Sequence, residues 1–466
     1  MNGAAVLPLT PREIATALGG NLHLVPDPNV VVTGPAVLDS RAVTDGSVFV
    51  AIEGERVDGH DYAATAAANG AAFVLARRPV PAPAVLVPDV RQALDALASL
   101  SARRLPATRI GLTGSSGKTS TKDLLAQVLA EDGPTTATAG NANNELGVPI
   151  TVLAATQDTR YLVVEMGARG LGHLTELTRL VPLDIALVLN VGAAHVGEFG
   201  TPEITAQAKG ELVEALGPEG TAVLNADDHR VAAMAARTDA AVTLFGLGRQ
   251  AQIRAEDVSL DAHGRPRFTL LTPTGKAPVT MRLLGAHQVS NALAVAAVAH
   301  RLGLATDLVA DALSRAETVT GGRMQLFERP DGVTVIDDAY NANPDSMRAA
   351  LQALAAMGGG RRTVAVLGAM TELGGTTDAA HRAVGELAAE LGLGLVVGVG
   401  GPDAELITTA AAAGGSAVHR LPDVATAAAE LDAGLLRPGD VVLVKSSRDS
   451  GLRAVAKALA AAGRPA

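Results

Sequence analysis

One hexapeptide narrows the folds open to this chain more than any other segment. Gly114-Ser115-Ser116-Gly117-Lys118-Thr119 follows a strand-like run at 108–113 and precedes a helix-like run. Glycines let a backbone curl until successive N–H groups converge on phosphate oxygens. The start of the following helix adds the positive end of its dipole. In this arrangement Lys118 reaches the β- and γ-phosphates, the Thr119 hydroxyl ligates Mg²⁺, and Ser120 continues the row of amides. The strict pattern asks for glycine five residues before Gly117, where this chain has Leu112. The bland alternative is a tight strand-to-helix turn that binds nothing. A guanine-nucleotide switch would also need N-K-x-D, and the nearest string, Asn225-Ala226-Asp227-Asp228, lacks the lysine.

Apolar strand-like runs alternate with helix-length segments over most of the chain, the rhythm of α/β folds with parallel sheets. Three blocks are expected, at 1–107, 108–320 and 321–466. The first reads as a helix from Thr10, strands near 30–38 and 47–52 and a helix at 62–69. A basic, proline-containing exit follows at 103–106. The second has buried-type strands at 108–113, 161–165, 185–190 and 222–225. An antiparallel-looking patch at 258–284 and a helix at 288–302 complete it. The third places strands at 333–337, 363–367, 395–399 and 441–445 in a Rossmann-like unit. It lacks G-x-G-x-x-G, so no dinucleotide site is assigned there.

Composition removes whole classes of function. A net charge of −10 and six Phe, three Tyr and no Trp argue against a nucleic-acid partner, which wants a basic surface and stacking rings. With no cysteine, disulfides, thiolate nucleophiles and thiolate-bound metals are excluded. Residues 1–10 lack a basic region followed by an apolar core, and no apolar run approaches the ~20 residues of a membrane helix. A soluble cytoplasmic protein without membrane insertion is expected.

Other polar groups fall where parallel strands end, the usual place for ligands. An acid near the metal is expected to close a buried strand. Glu165 does so in the phosphate loop's own block, and Asp337 and Asp338 do so more than 200 positions after Lys118 in the next. His195 sits in a small-residue loop after the strand at 185–190 and reads as a metal ligand or as an ordinary surface histidine. Lys209 opens a helix-like stretch. It is either an exposed helix lysine or a buried amine of depressed pKa that can react with carbon dioxide. Asn141–144 can read a polar ligand or make Asx turns. Arg323 and Arg448 can pair phosphates bidentately or lie on the surface.

The motifs together resemble the Mur ligase family over nearly the whole chain. They are "LTGSSGKTSTKD" (112–123), "GNANNELGVPITVL" (140–153), "VVEMGARGLGHL" (163–174), "NVGAAHVGEFG" (190–200), "AQAKGELVEAL" (206–216), "GAHQVSNALAVAAV" (285–298), "DDAYNANPDSM" (337–347) and "VKSSRDSGLR" (444–453). N-terminal "LDSRAV" and "FVAIEGERVDGHDY" resemble the UDP-recognition domain of one branch. "NNELG" and "DDAYNANPDSM" favour the member that joins D-alanyl-D-alanine to a UDP-N-acetylmuramoyl tripeptide. The resemblance implies three domains: a UDP-substrate domain, a central P-loop ATPase-like domain and a Rossmann-like C-terminal domain. It implies ATP and Mg²⁺ as cofactors, an acyl-phosphate intermediate in peptidoglycan precursor synthesis, and a monomer.

Residue by residue, the resemblance assigns Gly114, Ser115, Ser116, Gly117, Lys118, Thr119 and Ser120 to ATP and Mg²⁺, and Glu165 and His195 to metal. Lys209 matches a lysine the family often carbamylates. Asn291 matches an adenine-side residue, and Arg323 and Asp338 match nucleotide contacts from the third domain. Ser40 and Arg41 match the UDP-end motif, while Asn144 and Arg169 fall in loops facing the muramoyl peptide. Two departures stand out. Ala369 replaces the usual acid in "VLGAM", and Thr320-Gly321-Gly322 replaces an aromatic-containing stretch before Arg323-Met324. A sister ligase, a folylpolyglutamate-type ligase and a P-loop regulatory NTPase are the competing readings.

Overall fold

In a computed structural model, residues 9–192 and 200–462 are described. Their strands form three separate sheets.

The first sheet holds β1 (Asn21–His23), β2 (Ala36–Val37), β3 (Val48–Val50), β4 (Phe73–Ala76) and β5 (Ala84–Leu86), ordered β1-β5-β4-β3-β2. Only the β1–β5 pair is antiparallel. The strand expected at 30–38 shrinks to two residues, because Val30 and Val31 are exposed and have no neighbouring strand. The expected exit at 103–106 is also corrected. Arg103 and Arg104 form the last turn of helix Val90–Arg104, where their charge complements the carbonyl end of the dipole. Leu105 and Ala107 beyond it are buried. That helix packs on helix Gly147–Leu153 of the next block, so one apolar core runs unbroken from the first sheet to the second.

The central sheet holds β6 (Thr108–Thr113), β7 (Thr135–Ala137), β8 (Tyr161–Glu165), β9 (Ile185–Val188), β10 (Thr221–Asn225), β11 (Ala241–Gly246), β12 (Ile253–Leu260), β13 (Pro266–Thr272) and β14 (Gly275–Thr280). Their order is β14-β13-β12-β11-β10-β9-β6-β8-β7. From β7 to β12 the pairs are parallel, and β12-β13-β14 is an antiparallel meander. The meander begins at Ile253, earlier than the sequence suggested. β6 lies between β8 and β9, whose connections leave in opposite directions, so a crevice opens at its carboxyl end. Helices Lys118–Ala130 and His287–Arg301 pack together over one face on a core that includes Leu125, Leu129 and Leu293.

The third sheet holds β15 (Gln325–Glu328), β16 (Thr334–Asp338), β17 (Thr363–Leu367), β18 (Leu395–Val399), β19 (Val418–Leu421) and β20 (Val441–Lys445), ordered β15-β16-β20-β17-β18-β19. All its pairs but β15–β16 are parallel. Helices cover both faces, as the strands' uninterrupted apolar sequences require.

Candidate active site

The phosphate loop joins β6 to helix Lys118–Ala130 in four residues. Leu112, where the strict pattern asks for glycine, lies inside β6 and is fully buried between β8 and β9. Gly117 caps the helix at φ +76°, and a Cβ there would sit 2.8 Å from Asn291 Oδ1. Both the backbone sign and the close approach demand glycine. Asn190, at the end of β9's run, braces the loop: its Oδ1 accepts from Ser116 N at 2.9 Å and its Nδ2 donates to Ser116 O at 3.2 Å. Lys118 Nζ donates to Gly114 O at 2.7 Å. Burial pushes the Lys118 ammonium down from its usual value, with Glu165 opposing and Arg323 reinforcing the shift.

Around this loop lies a cleft of about 540 Å³ between the second and third sheets. Ser115, Ser116, Gly117, Lys118, Thr119, Ser120, Asn144, Glu165, Arg169, Asn291, Arg323 and Asp338 all line it. Gly114 stands behind the loop and shows it only a carbonyl. Between the acids left open by sequence, Glu165 is the one beside the phosphate loop. It is 1% exposed, accepts from Asn143 Nδ2 at 2.6 Å through Oε1, and among the described residues leaves Oε2 buried with no hydrogen-bond partner. Such an orphan oxygen is costly in a dry pocket unless a cation faces it. Asp338 lines the same cleft from β16. Asp337, on the opposite face of the strand, accepts from Ala339 N at 3.1 Å, and burial raises its carboxyl.

The third sheet's contribution centres on Arg323. Its Nη2 donates to Thr119 Oγ1 at 2.9 Å, and its guanidinium lies 4.5 Å from the centre of the Tyr340 ring. Gly322 has φ +78°, and a Cβ there would come within 3.4 Å of Arg453 and Tyr340. The departure at 320–322 thus makes room for this stack. Ala369 sits beside the cleft-lining Thr371, and its carbonyl accepts from Ser447 N at 2.9 Å.

Asn144 makes an Asx cap, accepting from Gly147 N at 2.9 Å, and so holds helix Gly147–Leu153. Arg169 and His173 each approach Glu145 at 3.6 Å.

Ser40, Arg41 and Lys209 do not line the cleft. Ser40 and Arg41 belong to the first unit. Ser40 is buried, with its carbonyl taken by Asn69 Nδ2 at 2.9 Å, while Arg41 is exposed and paired with Asp39 at 2.6 Å. His195 lies outside the described residues. Lys209 lies in helix Pro202–Glu214 and is only 1% exposed, which removes the exposed-lysine reading. Burial pushes its amine far below the usual lysine value, and the Lys118 charge pushes it the same way.

Sequence reasoning missed Lys445 and Tyr340, and left Asn143 open within the run 141–144. Lys445 closes β20 with its side chain buried, 2.5 Å from Asp338 Oδ2 and 3.0 Å from Asn341 O. A lysine ending an all-apolar strand was the available signal. Tyr340 was flagged only by the scarcity of aromatics.

Comparison with known proteins agrees with this geometry. Residues 37–105 match the Mur ligase family catalytic domain, 112–299 the Mur ligase middle domain, and 322–448 the Mur ligase glutamate ligase domain. The UDP-N-acetylmuramoyl-tripeptide–D-alanyl-D-alanine ligase of Mycobacterium tuberculosis is 46% identical, covering 98% of each chain. The Escherichia coli ligase of the same name is 37% identical over 90% of this chain and 92% of its own. Among solved structures, MurF from Acinetobacter baumannii aligns with a TM-score of 0.84 at 31% identity, covering 97% of this chain and 99% of that one. MurF from Thermotoga maritima in complex with ADP aligns at 0.78 and 31%, covering 92% and 98%.

Proposed function

The chain belongs to the Mur ligase family, and on that premise we propose how its cleft works as an ATP-dependent ligase that adds D-alanyl-D-alanine to a UDP-N-acetylmuramoyl tripeptide. The observation that carries the reading is one cleft with a phosphate loop on one wall and Arg323, Asp338 and Lys445 on the other.

ATP lies with its phosphates in the amides of Ser115, Ser116, Gly117, Lys118, Thr119 and Ser120, and with its adenine toward Asn291. Arg323 and Asp338 reach it from the third unit. The Glu165 oxygen that has no partner among the described residues and the Thr119 hydroxyl suit a small hard cation, with His195 as a further ligand by family resemblance. Mg²⁺ held there would supply positive charge to the phosphate oxygens. The tripeptide's terminal carboxylate attacks the γ-phosphorus. Lys118 stabilises charge on the transferring phosphoryl group, and ADP leaves. The resulting acyl phosphate is attacked by the amine of D-alanyl-D-alanine, and phosphate departs as the amide forms. Lys209, whose uncharged amine is favoured by burial and by the Lys118 charge, adds carbon dioxide, releases a proton to solvent and becomes a carbamate anion. Asn144 and Arg169 face the muramoyl peptide, and Ser40 and Arg41 hold the UDP end.

The boundaries 1–107, 108–320 and 321–466 leave one sheet in each unit and both walls of the cleft in one chain, which supports a monomer as the working form. Closure of the third unit on the second excludes water from the acyl phosphate. The nucleotide-linked substrates support a cytoplasmic site of action. Among the described residues no helix is long and apolar enough to cross a membrane.

The test is phosphate release with ATP, D-alanyl-D-alanine and a panel of UDP-muramoyl peptides. Release is expected only with both peptide substrates. Equal release without either would return the chain to the regulatory-NTPase reading.

A further inference from the structure

We infer that Lys122 and Asp123, a buried ion pair one turn beyond the phosphate loop, are positioning residues that hold both walls of the cleft to one helix. Lys122 is 3% exposed and Asp123 9%, and their charged atoms lie 2.6 Å apart. Neither residue lines the cleft.

Each partner carries its own arm. Lys122 Nζ donates to Thr138 O at 2.7 Å and to Gly140 O at 3.1 Å. Those carbonyls begin the loop that delivers Asn143 to Glu165. The Thr138 hydroxyl also accepts from Glu165 N at 2.9 Å, so the Lys122 arm fixes the acid at both ends. Asp123 Oδ2 accepts from Thr320 N at 3.1 Å, three residues before Arg323.

The Asp123 arm belongs to a longer register. Thr119, Asp123, Gln127 and Glu131 recur every four residues and so share one helix face. They hold Arg323, Thr320, Glu317 and Arg315 in turn. Gln127 exchanges two hydrogen bonds of 3.0 Å with the Glu317 backbone, and Glu131 pairs with Arg315 at 2.9 Å. The segment joining the second unit to the third therefore lies antiparallel along the phosphate-loop helix. Asp123 is its only buried anchor among these four apart from Thr119 itself.

Burying an ion pair is a weak route to stability, since desolvation offsets most of the attraction. Here the pair's three hydrogen bonds to the backbone are specific in direction. One arm sets the Glu165 side and the other sets the distance from the loop to Arg323. The helix face thereby becomes the track on which the third unit is hung.

The inference rests on the ligase reading, so the test begins with a measurement that examines that reading alone. Calorimetry of the intact wild-type chain with Mg·ADP, and separately with the UDP-muramoyl tripeptide, must show binding of each. Failure there overturns the ligase reading and, with it, the positioning role that rests on it. With binding established, Asp123→Ala is expected to weaken Mg·ADP about tenfold, the loss of a hydrogen bond to a charged group, and to leave tripeptide binding within about twofold. Asp123→Asn, which keeps the acceptor for Thr320 N, is expected to recover most of that loss. Gln127→Ala loosens the same segment without disturbing the buried charges. It is expected to weaken Mg·ADP by about threefold, and it keeps the proposal testable if Asp123→Ala does not fold. Nucleotide and tripeptide affinities falling together in proportion to the melting temperature, or no recovery in Asp123→Asn, would overturn the positioning role.

Discussion

Arg323 Nη2 rests 2.9 Å from Thr119 Oγ1, a hydrogen bond between the third unit and the first turn of the phosphate-loop helix, spanning 204 positions of sequence. The hydroxyl that suits a cation beside ATP is thus held by an arginine that itself suits phosphate. We propose that nucleotide entry exchanges one partner for the other, so that Arg323 passes from the hydroxyl to a phosphate oxygen. Arg323→Ala is expected to raise the KM for ATP about tenfold, as loss of a charged hydrogen bond implies. Affinity for the UDP substrate should not move. An unchanged KM for ATP would remove Arg323 from the nucleotide site.

Among the described residues, Lys118 gives its side-chain hydrogen bond to Gly114 O. Lys118→Ala should therefore fold, bind the UDP substrate normally, and lose turnover by about a hundredfold or more, the scale of removing one preorganised charge from a transition state. Circular dichroism, calorimetry and kcat together check it. Near-normal kcat in a folded variant would sink the phosphate-loop assignment.

Arg41 is exposed and tied to Asp39, well outside the cleft that holds the phosphate loop. Arg41→Ala is expected to weaken the UDP substrate about tenfold through a lost charged contact, with ATP binding unchanged. Calorimetry with each ligand separately decides it, and equal UDP-substrate affinity would leave Arg41 a plain surface residue.

For Lys209 the pH dependence has a definite sign. Its folded-state pKa lies well below the usual lysine value of 10.5. Between those two values the unfolded chain binds the extra proton, so this group's penalty on folding shrinks as pH rises. Lys209→Met removes the penalty, and its gain in melting temperature over wild type should be larger at neutral pH than in alkali. Activity should fall in Lys209→Ala and return in part with added short carboxylic acids that replace the carbamate. A pH-independent difference, with no chemical rescue, would contradict both statements.

A phosphate loop wraps the β-phosphate in its amides and aims its lysine at the β/γ pair, which favours charge developing around the γ-phosphorus over attack at the α-phosphorus. Ligation of tripeptide labelled with ¹⁸O in its terminal carboxylate should therefore yield ADP and phosphate carrying one label. AMP with pyrophosphate, or unlabelled phosphate, would replace the acyl phosphate with another intermediate.

Much of this architecture was legible in the chain. The phosphate loop, the alternation of apolar strands with helices and the placement of acids at strand ends are local patterns, because strand–turn–helix geometry depends on neighbouring residues. The first unit was read least well. Its strands are three or four residues long at most, and Val30 and Val31 look like strand residues but have no partner.

What sequence could not fix is which distant groups meet. Lys209 reads as an ordinary helix lysine until packing takes its side chain out of water, because burial depends on what covers a helix face and not on the helix. Lys122 and Asp123 read as two more charges on a helix until the fold brings Thr138, Gly140 and Thr320 to them. The sequence by itself determined a nucleotide-binding α/β chain of the Mur ligase type, since a phosphate loop is built from consecutive backbone. Tertiary structure alone decided that Arg323 faces Thr119, because the contact exists only when the segment 315–323 lies along the phosphate-loop helix.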